Sequence, residues 1–121
     1  ILFIVALITS CSKEEGRGGL ASIRGKVYGY DINTSNEITD SGYVANYDVF
    51  ISYGTNSWVD DKTETSYTGD YSFDELTPGK YTLYVYSQCN SCIFNEESFV
   101  KEVEIKDSKE VLILPDFVIV D

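Results

Sequence analysis

The sequence has no histidine and no methionine, only two prolines and one tryptophan, and 9 basic residues against 20 acidic ones. Without histidine the commonest general base and the commonest nitrogen ligand for a metal are both missing. A formal net charge of −11 speaks against nucleic acid or an anionic lipid surface as partners. No apolar run approaches the roughly 20 residues that cross a bilayer as a helix. The sequence also lacks a nucleophile elbow and a phosphate-binding loop. Its adjacent carboxylate pairs, Asp60-Asp61 and Glu96-Glu97, lie in polar stretches where neighbouring strand residues point to opposite faces, so they read as solvated acids. A non-enzyme that needs no cofactor or metal is expected.

What is present starts with ILFIVALITSCSKEE, an apolar run from Ile1 to Ile8 that stops at a cysteine followed by charge. A short apolar region ending in small residues is the profile of a secretory signal peptide. The sequence begins with Ile1 rather than methionine, so the basic region that opens such a peptide is expected to precede it. Ile8-Thr9-Ser10-Cys11 resembles the lipobox of bacterial lipoproteins. That resemblance implies a diacylglycerol thioether on Cys11, cleavage just before it, and acylation of the new amino group. Two or three acyl chains anchor stably where one binds reversibly. The expected organisation is a signal remnant over 1–10 and a lipidated, charged and glycine-rich tether over 11–21, with a folded domain over 22–121. In some lineages a lysine-acidic tract like Lys13-Glu14-Glu15 resembles an export signal for the outer leaflet; a plain solvated linker is the alternative. Cell-envelope localisation, at the outer membrane, is expected.

Hydrophobic residues make up 43% of the chain, enough for the core of one domain. The period is two throughout, which predicts an all-β protein. Ile23, Gly25, Val27 and Gly29 share the inward face of a first strand, with Arg24, Lys26, Tyr28 and Tyr30 opposite. Asp31 to Gly42 reads as a loop. Tyr47, Val49, Ile51 and Tyr53 line a second strand, and weaker strands are expected around Trp58-Val59 and over Glu64 to Tyr67. Thr68-Gly69-Asp70 turns into Tyr71-Ser72-Phe73. A Leu-Thr-Pro-Gly turn then leads into Tyr81 to Gln88, with Pro78 setting φ and Gly79 supplying a positive φ. Phe99 to Ile105 and Val111 to Val120 complete the strands, and Pro115 must sit at an edge or bulge.

This order, an opening Gly-Lys-Val strand, Val-x-Ile, Gly-x-Tyr-x-Phe, then Leu-x-Pro-Gly-x-Tyr-x-Leu-x-Val, resembles the prealbumin-like (transthyretin-like) domains, including carboxypeptidase regulatory-like and Cna-B-like members. The resemblance covers about residues 22 to 120. It implies a seven-stranded Greek-key β-sandwich and little about activity, because such domains serve as spacers, stalks and binding modules. In Cna-B relatives a lysine on the first strand can join an acidic or amide residue on the last. Lys26 and Asp116 are the nearest matches, but the alternation points Lys26 outward, whereas that crosslink needs a buried lysine.

Cys89-Asn90-Ser91-Cys92 has a spacing shared by redox sites, metal knuckles and local disulfides. Zinc would need two further ligands, and the motif follows a strand rather than opening a helix. In an exported protein the pair reads as a disulfide closing a tight loop, with two free thiols as the alternative. The Asp-rich loops over 31–40 and 60–74 lack the spacing of an EF-hand and read as solvated. Phe50 points outward between Val49 and Ile51, as do Tyr84 and Tyr86 beside Tyr81, Leu83 and Val85. If the two strands are neighbours, Phe50, Tyr84 and Tyr86 form an exposed aromatic patch with Trp58 just beyond it. Such platforms stack on sugar rings and anchor protein interfaces, although outward aromatics also serve simply as strand formers. The expected function is thus a lipid-anchored, structural or ligand-presenting envelope module. A glycan- or protein-binding accessory lipoprotein is the alternative.

Overall fold

The computed structural model describes residues 14–121, and the expected signal segment and Cys11 lie outside the described residues. The described chain is all β. Its nine strands are β1 (Arg17–Ile32), β2 (Ile38–Tyr43), β3 (Asp48–Tyr53), β4 (Asp61–Glu64), β5 (Asp70–Leu76), β6 (Gly79–Gln88), β7 (Glu96–Ile105), β8 (Val111–Ile113) and β9 (Phe117–Val120). They form a five-stranded and a four-stranded sheet.

The five-stranded sheet is organised around β1. Along one edge of β1 lie β5 and then β2, both antiparallel; along the other lie β8 and then β9, both parallel. The four-stranded sheet runs β4-β3-β6-β7, with antiparallel pairing throughout. The inner faces of the two sheets share one core. Ile23 and Val27 of β1, Tyr71 and Phe73 of β5, and Phe117 and Ile119 of β9 meet Val49 and Ile51 of β3 and Tyr81, Leu83 and Val85 of β6. The period-two reading of β1, β3 and β6 therefore matches the observed core face, because a strand with one buried face can tolerate no shift of register by one residue.

The expected count of seven strands differs from the nine observed among the described residues. One reason is Pro115, which with Leu114 and Asp116 interrupts the last strand at the sheet edge, leaving β8 and β9 where a single strand was expected. Another is β2, which lies within the stretch read as a loop. Its side chains are nearly all exposed, so no apolar face marks it, and it is held by backbone pairing from Tyr28↔Tyr43 to Ile32↔Ile38. Around Trp58-Val59 there is no strand, and the weak strand expected over 64–67 lies earlier, at β4.

The glycine-rich stretch read as the end of a tether is part of the fold. The amide of Gly16 donates to the Tyr81 hydroxyl at 2.9 Å, and the Thr77 hydroxyl donates to the Glu14 carbonyl at 2.8 Å. Tyr81 in turn donates to the Thr77 carbonyl at 2.6 Å, so one buried phenol ties residues 14–16 to the Leu-Thr-Pro-Gly turn. Gly19 is glycine because the chain passes directly over β5: a Cβ there would overlap the Leu76 carbonyl oxygen. Close backbone approach and flexibility call for the same residue, and here approach is what the structure uses.

Candidate ligand-binding face

The alternation that buries Leu83 and Val85 sends Tyr84 and Tyr86 to the outer face of the four-stranded sheet, and the same alternation in β3 sends Phe50 there. Phe50 pairs directly with Tyr84 across the ladder. Their rings stack at 5.3 Å between centroids with 20° between planes. Tyr86 meets both edge-on, at 5.6 Å from Phe50 and 5.8 Å from Tyr84. All three rings are partly open to solvent, and Tyr86 is the most exposed at 41%. Val100 of β7, opposite Tyr84, extends the apolar strip. On the other side Lys62 of β4 lies opposite Phe50, with its ammonium 3.8 Å from Asp48.

The surroundings are polar and short of free cations. Burial, then the neighbouring Tyr86, pushes the Tyr84 phenol above its ordinary pKa. Tyr47 donates its hydroxyl to the Tyr86 carbonyl and, with Phe50, Asp48, Tyr86 and Glu96, borders a hollow of about 330 Å³ beside the rings.

Trp58 stands apart from the other three. It lies on the loop between β3 and β4, 61% exposed, and among the described residues its ring is in no stacked or edge contact with them. Asp60 holds this loop: its carboxylate accepts the Trp58 indole N–H at 3.0 Å, the Tyr53 amide at 2.7 Å and the Asn56 side-chain amide at 3.0 Å. Partial burial works against the charged form of Asp60, and these hydrogen bonds outweigh it, holding the carboxyl below its ordinary pKa. The Trp58 carbonyl accepts the Ser52 hydroxyl at 2.5 Å, which seats the loop over the outer face one pleat along from Phe50.

A larger groove, which the sequence pattern did not reveal, lies further along the same face. It has a volume of about 550 Å³ and lies between the β3–β4 loop, with Asn56 and Ser57, and the outward side chains of Lys80, Thr82, Glu102 and Glu104 on β6 and β7. Finding it needs the pairing of β6 with β7, which places Thr82 opposite Glu102 and Lys80 opposite Glu104. The outward parity of these residues was visible from Tyr81, Leu83 and Val85. Which strand neighbours β6 was not.

Cys89 and Cys92 form a disulfide with their Cα atoms 5.4 Å apart. They close the loop between β6 and β7, which is also held by a 2.9 Å bond from the Cys89 amide to the Asn95 carbonyl. Asn90 donates to Asn36 at 2.7 Å, joining this loop to the β1–β2 turn. At its tip Ile93 and Phe94 are 91% and 87% exposed. Among the described residues one group of metal-ligating types comes together, Cys89, Cys92 and Glu97, with ligand atoms within 4.8 Å. With the sulfurs joined to each other, the group offers a single carboxylate. Lys26 sits 3.5 Å from Asp70, and Asp116 accepts the Tyr43 hydroxyl at 3.1 Å, so each residue of the suggested crosslink has a different partner.

No family model matches the chain, and no curated protein matches it. The fold is similar to the crystal structure of a putative carbohydrate binding protein from Pseudomonas aeruginosa, with a TM-score of 0.51 over 84% of this chain and 91% of that one at 15% sequence identity. At that identity the likeness is one of fold: two sheets packed as an all-β domain.

Proposed function

We propose that the protein is a non-catalytic, ligand-presenting β-sandwich module of the cell envelope, anchored through lipid on Cys11, and that it holds a glycan on the outer face of its four-stranded sheet. The observation that carries this reading is the contiguous Phe50, Tyr84 and Tyr86 surface, which lies on one sheet and is open to solvent. An apolar face of a sugar ring stacks well on such rings, while a catalytic site needs the enclosed, desolvated cleft that this face does not provide. The description of the Pseudomonas aeruginosa protein as a putative carbohydrate binder supports the choice of ligand class. The prealbumin-like pattern and the lipobox-like Ile8 to Cys11 support an exported accessory module. A protein partner is the second reading, favoured by the exposed Ile93 and Phe94 on the disulfide-closed loop.

The test is a pair of truncations, Tyr84→Ala with Tyr86→Ala, measured by affinity electrophoresis through gels containing polysaccharide. Loss of retardation, by at least tenfold in affinity with the fold intact, is expected, since each stacking ring contributes on the order of 1 kcal/mol beyond its buried area. Retention equal to wild type would remove the aromatic face from the binding reading.

A further inference from the structure

The aromatic rings and the 550 Å³ groove lie on the outer face of one sheet, the groove beginning one outward residue along β6 and β7 from the rings. Thr82 is the next outward residue from Tyr84 on β6, and Glu102 the next from Val100 on β7. Rings at one end and hydroxyl, amide and carboxylate groups at the other make the two kinds of contact a saccharide needs, an apolar surface for the ring face and partners for its hydroxyls. A groove of this volume falls in the range of small-ligand sites.

The charges on this face restrict the ligand further. Glu102 and Glu104 of the groove are in none of the ion pairs among the described residues, and neither is Glu96 at the far side of the rings. Of the outward cations, Lys62 is engaged by Asp48, leaving Lys80 against two groove carboxylates. Carboxylates accept hydrogen bonds and donate none, so they suit the hydroxyls of a sugar and repel a second carboxylate or a sulfate. The whole chain, at −11, adds repulsion at long range.

Building on the glycan-binding reading, we propose that the groove is the hydrogen-bonding half of one extended site, that Glu102 and Glu104 set its specificity, and that it takes uncharged sugar chains while rejecting polyuronates and sulfated glycans. The rings grip any pyranose of suitable face, and the two carboxylates decide which pyranose stays.

The experiment is calorimetric titration of the full chain in detergent with neutral oligosaccharides and with oligouronates, at low and high salt. Binding of a neutral oligosaccharide that is unchanged by salt is expected, with oligouronate binding at least tenfold weaker. Glu102→Gln with Glu104→Gln should weaken the neutral ligand roughly tenfold, the scale of one charge-assisted hydrogen bond. Glu102→Lys with Glu104→Lys should admit the oligouronate in a salt-sensitive manner. Both pairs are on the surface and leave the core untouched. If the wild type prefers the oligouronate and Tyr84→Ala still abolishes binding, the charge selection is wrong while the aromatic site stands. If a neutral sugar binds and the glutamine pair changes nothing, the groove is not part of the site. Binding of neither class by the wild type removes the glycan reading itself, and this inference with it.

Discussion

Two tyrosines of the core show how differently one residue type can be used. Tyr81 places its ring in the interior and its hydroxyl among the Thr77 carbonyl and the Gly16 amide, satisfied on both sides. Tyr71 is equally buried, with its ring near Phe73 and Phe117, yet its hydroxyl has no hydrogen-bond partner among the described residues. Gly25 makes room for it, since a Cβ there would collide with that oxygen. An orphaned buried hydroxyl costs its desolvation without a compensating bond. Tyr71→Phe is therefore expected to stabilise the fold by about 1 kcal/mol at neutral pH in chemical denaturation; a loss of that size would show that the hydroxyl is bonded after all. Burial, then the charge of Asp116, raises the Tyr71 pKa well above the ordinary phenol value. A phenol raised in the folded state adds stability that is complete below the unfolded value of about 10 and is lost as pH rises towards the folded one. Tyr47, Tyr53 and Tyr84 are shifted the same way, each chiefly by burial. Stability should thus hold to about pH 10 and fall above it, and the fall should be shallower in Tyr71→Phe than in wild type.

At the scale of elements, glycine is where sequence and structure part company. The three glycines of the expected tether, Gly16, Gly18 and Gly19, read as slack, yet Gly16 and Gly19 lie at packed crossings. Gly19→Ala is expected to cost roughly 2 kcal/mol or more, because the added carbon meets backbone rather than a side chain that can swing away. Gly42→Ala, on the exposed β2, has open space at its Cβ and should be nearly neutral. Equal thermal midpoints for the two variants would restore the tether over 17–21. The strands that bury one face, β1, β3 and β6, were legible because alternation and burial carry the same information there. β2 was not, because its side chains are nearly all exposed and leave no apolar mark. For the ligand face the rings were legible from parity. The groove was hidden because neighbours in a sheet are set by the path of the chain, which local pattern does not encode.

For the whole molecule, strand direction gives the domain two distinct ends. Residues 14–16 lie at the end where β6 begins, and the disulfide-closed loop with Ile93 and Phe94 lies where β6 stops, ten residues away. At about 3.3 Å per residue the ends are roughly 33 Å apart. The proposed anchor is tested by the intact mass of the protein extracted from membranes: a chain starting at Cys11 and carrying acyl groups is expected, and a chain that begins upstream without lipid would remove both the anchor and the envelope localisation.

The bonds from Glu14 and Gly16 to the turn around Thr77 then decide how such a protein would be carried. Between Cys11 and Glu14 the sequence has only Ser12 and Lys13. A leash that short reaches about 10 Å when taut. The domain would be held close to the lipid surface by the end where β6 begins. A sugar chain lying along that strand would run from the tethered end towards the disulfide-closed loop.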